Sequence, residues 1–278
     1  MTAFKNKSEE YVHDICSKTF LSLWSYPNPQ GRSKGKELCD LLVVCDPDVV
    51  IFSVKDIQIE TQDPSEIDLR RWSNKAIDSS VKQIYGAERL LKTLSQVTKA
   101  DGSRGLLIPK SSSIRIHRVG IALGGKRKAY VHSGDFGKGY IHIFDDESFQ
   151  IVLEELNTIT DFIEYLTAKS DLLSNTQLTI LEGGEEDLLA YYLANNRVFP
   201  KTTGLAIIGD GIWEKFHNSA PYQSKREADK HSYLWDKLIE TVAGYAIKNE
   251  LMYGPNINQT EFSLRFMAKR KSTKSPQP

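Results

Sequence analysis

Apolar positions along the first half of the chain alternate between two periods, and each change of period marks an element. Tyr11, Val12, Ile15, Cys16, Phe20, Leu23 and Trp24 recur at helical spacing, which predicts a helix over 8–24 with Ser8 as its N-cap ahead of Glu9 and Glu10. Two prolines and a glycine in Tyr26-Pro27-Asn28-Pro29-Gln30-Gly31 end it, and Arg32, Lys34 and Lys36 form a basic loop. Two compact apolar runs follow, over 38–45 and 49–55. Asp46-Pro47-Asp48 separates them and predicts a hairpin. From Asp68 to Leu94 the pattern returns to helical through Trp72, Ala76, Ile77, Val81, Ile84, Leu90 and Leu91, and 114–123 reads as a partly alternating strand. The order is helix, strand, strand, helix, strand.

Beyond Gly124-Gly125 the pattern predicts a short strand over 129–132, a glycine-rich connection and a strand over 140–144. Helices follow over 145–156, 159–172 and 185–193, and a last one over 223–251. Residues 178–181 and 204–211 read as strands, the second ending in a turn. The fold class is therefore α/β. The expected organisation is a core over 1–123, a mixed α/β accessory region over 124–254, and a basic, disordered tail over 255–278.

Composition changes this picture little. With 36 basic and 36 acidic residues the formal net charge is zero, so affinity for a polyanion has to come from a local patch. No run reaches the 18 or more apolar residues of a membrane span, and 1–7 lacks a secretory core. The expectation is a cytoplasmic protein with no membrane partner. Of the three cysteines, Cys39 and Cys45 lie on one predicted strand, about 20 Å apart at ~3.3 Å per residue, too far to bridge. Together with Cys16 they are expected as buried thiols.

The candidate chemistry sits in the hairpin. Asp40 interrupts one apolar run and Lys55 ends the other, and each costs free energy unless paired or used. Strand alternation puts Ser53 and Lys55 on one face. Pairing 46 with 49 sets Asp40 opposite Lys55, and pairing 45 with 48 sets it opposite Ser53; either register brings the three together. A carboxylate that binds a divalent cation, beside an ammonium group that orients water and offsets developing charge, suits metal-assisted phosphodiester hydrolysis. Oxygen ligands favour Mg2+ or Mn2+.

These residues and this element order, over roughly 8–123, resemble the PD-(D/E)xK nuclease superfamily. The resemblance implies a restriction-endonuclease-like mixed sheet flanked by helices and a divalent-metal-dependent endonuclease acting on DNA, with RNA not excluded. It makes Asp40 the strand aspartate, Lys55 the catalytic lysine and Glu10, with Glu9 beside it, the helix glutamate. Gln83 and Tyr85 are similar to the Gln-and-Tyr motif of the RecB-like branch, which is normally spaced QxxxY. Ser53 stands where the superfamily has Asp or Glu. Its oxygen contributes to the metal shell, Glu37 substitutes for the missing acid, or the site is inactive. The Lys36-Glu37-Leu38-Cys39-Asp40 segment is similar to bacterial phage-defence-linked sequences. That implies a companion defence protein or a homodimer as partner, and an inactive nucleic-acid- or protein-binding module is the alternative function.

Plainer readings stand beside these. Asp40 and Lys55 also make sense as a cross-strand ion pair, and Glu9 and Glu10 as first-turn acids favoured by the helix dipole. Arg71 and Lys82 are candidate phosphate contacts with Arg32, Lys34, Lys36, Arg70, Lys75 and Arg89, or simply a solvated face. Trp72 and Tyr85 are base-stacking candidates or core. Gly134-Asp135-Phe136-Gly137-Lys138-Gly139 lacks the context of a kinase or Walker loop, and the histidines show no HExxH pairing.

Overall fold

The apolar runs flanking Asp46-Pro47-Asp48 close into a hairpin at the centre of a mixed sheet. The computed structural model describes residues 6–20, 24–32, 35–125, 132–175, 178–200 and 204–247. By internal contacts the chain divides into two units, residues 1–18 with 24–153, and 19–23 with 154–278.

The elements of the first unit are α1 (Lys7–Phe20), β1 (Ser25–Pro27), β2 (Leu41–Cys45), β3 (Asp48–Asp56), α2 (Glu66–Ser73), a π-helical turn (Asn74–Asp78), α3 (Ser79–Leu91), β4 (Gln96–Thr98), β5 (Arg104–Leu107), β6 (Arg115–Leu123), β7 (Gly134–Asp135), β8 (Tyr140–Phe144) and α4 (Asp146–Glu155). Six strands form one sheet in the order β1-β2-β3-β6-β8-β7. β1, β2 and β3 are antiparallel neighbours, β3, β6 and β8 run parallel, and β7 pairs antiparallel with β8. The sheet thus runs past residue 123 through Phe144. β8 needs β6 as its partner, so the boundary expected at 123 falls inside the first unit.

Trp72, Ala76, Ile77, Ile84, Ala87 and Leu91 form one stripe along α2, the π turn and α3. They pack on Leu42, Val44, Val49 and Ile51 of the hairpin. At about 1.5–3 kcal/mol for each large side chain removed from water, this stripe holds the helices to the sheet. Ser65 caps α2 in a reciprocal capping box with Asp68. At the start of α1 the cap differs from the expected one. Asn6 Oδ1 accepts the Glu9 N–H at 2.8 Å, while Ser8 lies within the first turn and donates to Asp56 instead. The described helix covers Lys7–Phe20, residues 21–23 lie outside the described residues, and Trp24 stands in a turn. The small ribbon of β4 and β5 and the short strand β1 have no clear hydrophobic period and were not expected.

In the second unit α5 (Ile159–Asn175) is followed by β9 (Leu178–Leu181), α6 (Glu185–Ala194), β10 (Leu205–Ile208), α7 (Ile212–His217) and α8 (Ala220–Ile247). β9 and β10 pair in parallel, Leu178 opposite Leu205. Lys169 is buried with its ammonium 2.6 Å from Glu185, whose other oxygen accepts the Tyr165 hydroxyl. Burial lowers the Lys169 pKa, and the Glu185 charge opposes that shift. The expected tail over 255–278, the end of the last helix and most of the 129–132 strand lie outside the described residues. Among the described residues no helix is long and apolar enough to cross a membrane.

Candidate functional site

Cys45 pairs with Asp48 and Leu42 with Ile51, the second of the two registers considered, so Asp40 enters β2 opposite Ser53. Leu42 and Ile51 face the helical layer, and by alternation Asp40, Ser53 and Lys55 face it too. α3 meets them with Gln83.

Four side chains then form one network. Asp40 Oδ2 accepts the Val54 N–H at 2.7 Å, and Oδ1 accepts Gln83 Nε2 at 2.7 Å. Gln83 Oε1 accepts the Ser53 hydroxyl at 3.0 Å and the Lys55 ammonium. Lys55 Nζ lies 3.6 Å from Asp40 Oδ2. An amide suits this position because it offers a donor to the carboxylate and an acceptor to the ammonium and hydroxyl. A carboxylate at 83 would instead face Asp40 with like charge. Ser53 is fully buried and Asp40 is 7% exposed, while Lys55 keeps a quarter of its side chain in solvent.

Glu9, rather than Glu10, is the inward acid of α1. It shares the stripe of Val12, Cys16 and Phe20 at i+3, i+7 and i+11, and Glu10 on the next position is exposed. Asn28 ties Glu9 to the strand end. Its side chain donates to Glu9 Oε2 at 3.3 Å, and its main-chain N–H donates to the Asp40 carbonyl at 3.0 Å. The Ser8 hydroxyl on Asp56 anchors the same helix end to the close of β3. Asn28 was not singled out from the sequence. An Asn between two prolines signals only a turn, and its role depends on contacts 19 and 12 residues away.

Glu37 lines a cleft of about 470 Å³ between α3 and the segments 31–32 and 35–38, and Gln83 lines it too. Arg32, Lys36, Lys82 and Arg89 stand around it. Among the described residues none of these four cations forms an ion pair, whereas Arg115, Arg118 and Arg197 each do. Arg71, on α2, is exposed and lies outside the cleft lining. Tyr85 is bound elsewhere, its hydroxyl donating to the Gly139 carbonyl at 2.7 Å and accepting the Lys138 N–H at 3.3 Å, so it bolts the 134–139 turn to α3. Trp72 is core, its Nε1 donating to the Ile57 carbonyl at 2.7 Å.

Two other chemistries are unsupported. All three cysteines are reduced thiols and buried. Burial, then the charges of Asp40 and Glu37, pushes the Cys39 thiol well up, so it stays protonated and is no nucleophile. Among the described residues no group of three His, Cys, Asp or Glu side chains converges, which excludes a closed zinc-type cage there. Carboxylate oxygens are the donor type that a magnesium-type cation takes. Such an ion is held by one or two carboxylates and completed by waters and phosphate oxygens. Asp40 and Glu9 are the acids at this strand end, and a carboxylate with one hydrogen bond to each oxygen retains acceptor capacity. Ser53 directs its hydroxyl hydrogen into the network and supplies no charge.

Comparison with protein-family models, with curated proteins and with solved structures finds no match.

Proposed function

We propose that the first unit is a divalent-cation-dependent hydrolase of nucleic-acid phosphodiesters, with DNA as substrate and bacterial anti-phage defence as the setting that the resemblance suggests. One observation carries this reading. Asp40 and Lys55, 15 residues apart on the two arms of the hairpin, meet on one face around Gln83 and beside a cleft whose cations form no ion pair among the described residues. Asp40 and Glu9 would hold the cation, which would supply Lewis-acid polarisation of the scissile phosphate and a more acidic water. Lys55 hydrogen-bonds the attacking water or a phosphate oxygen and offsets the charge that develops there. Gln83 positions both groups through its amide.

A second reading has its own support. Ser53 is fully buried and bonded to Gln83, so the network has one acid fewer than the superfamily pattern. It makes the unit a binding module for nucleic acid, or for a companion protein or second copy, without cleavage. Incubating the protein with plasmid DNA and with single-stranded RNA, in magnesium, manganese or chelator, separates the two. Cation-dependent cutting that falls at least about 100-fold in both Asp40→Asn and Lys55→Ala is the expected result. Binding by all variants with no cutting in any metal would replace the enzyme with the module.

A further inference from the structure

Gly86 lies in the middle of α3, where glycine costs helix stability through its backbone freedom. Packing does not require it. A Cβ built on Gly86 meets no described atom within 4 Å beyond its chain neighbours and the helix's own backbone, whereas one on Gly105 would approach the Tyr26 ring to 2.8 Å. The open space over Gly86 is the cationic cleft itself.

We infer that this cleft seats one nucleotide of a single-stranded polynucleotide, and that Gly86 is the bare floor that lets it approach. Arg32, Lys36, Lys82 and Arg89 form no ion pair among the described residues and are suited to the phosphates on either side, and Leu90 supplies apolar surface for a base. The volume of about 470 Å³ falls in the range of sites that enclose small molecules. A duplex turns its bases inward and offers such a cleft only its backbone, so the apolar floor would go unused. Gln83 belongs both to the cleft and to the Asp40–Lys55 network, so the seated nucleotide adjoins the proposed catalytic groups. The inference builds on the proposed function by naming the strandedness of its substrate.

Fluorescence anisotropy in chelator, with a labelled 20-nucleotide DNA strand, the same sequence as RNA, and the DNA duplex, tests binding apart from cleavage. Both single strands are expected to bind at least tenfold more tightly than the duplex; a preference between them reports contact with the 2′-hydroxyl. Gly86→Leu is expected to melt no lower than the wild type and to lose at least tenfold in single-strand affinity. Arg89→Glu and Lys36→Glu alter exposed side chains and are expected to show similar losses. Wild-type binding by a folded Gly86→Leu, unchanged affinity in both charge reversals, or a duplex bound as tightly as the strands overturns the inference. Loss of cutting with these binding results intact would remove only the hydrolase reading.

Discussion

Gln83 carries the polar centre because a single amide offers both a donor and an acceptor to groups that need opposite partners. Its amide donates to Asp40 and accepts from Ser53 and Lys55. Gln83→Leu keeps the helix and much of the volume but leaves three polar groups short of a partner, two of them buried. The expected cost is about 1–3 kcal/mol in urea unfolding, with cleavage lost as well. An unchanged midpoint would show that water replaces the amide. At this scale the sequence was informative about type and face. Asp40, Ser53 and Lys55 were expected together because strand alternation is local. The choice of Glu9 over Glu10 was not settled, because one helical step of 100° decides it and the apolar stripe there admits both.

Elements are set by contacts that periodicity does not show. The helix expected over 68–94 contains a π-helical turn at Asn74–Asp78, a feature common near functional sites, and hydrophobic spacing runs through it unchanged. β3 and β6 are locked at their first residues. Asp48 accepts two hydrogen bonds from Arg115, at 2.8 and 2.6 Å, and one of its oxygens lies 2.9 Å from His117 Nε2. Burial pushes the Asp48 carboxyl up, but hydrogen bonds from His117 and then Arg115 outweigh it. The net result lies below the ordinary 3.8. A depressed folded-state pKa contributes stability that is complete above 3.8 and is lost as pH falls through the folded value. Asp48→Asn is therefore expected to lose about 1–3 kcal/mol at pH 7, with the gap to wild type closing below pH 3.8 in denaturant titrations. A gap independent of pH would point to packing instead.

Across the whole molecule the charges cancel, yet four cations that form no ion pair among the described residues gather at one cleft. Single-strand binding that neutralises about four phosphates should show a log–log salt slope near −3, roughly a 50-fold loss between 50 and 200 mM salt. A slope near zero in filter binding would mean that the cations are not the contact. The sum over the sequence hides this patch because Arg32, Lys36, Lys82 and Arg89 come from two segments brought side by side by folding.

From its sequence alone the chain determined its α/β class, the hairpin, the long amphipathic helix and the burial of its thiols. Each depends on residues a few positions apart, through the strand period of two and the helical period of 3.6. Tertiary structure decided which hairpin register forms, that β8 extends the sheet past residue 123, that Asn28 joins Glu9 to Asp40, and that Gln83 bridges Asp40 and Lys55. Those outcomes hinge on pairs as far apart as Asp40 and Gln83. Which distant side chains meet is set by how helices and sheet pack together, and local pattern does not encode that packing.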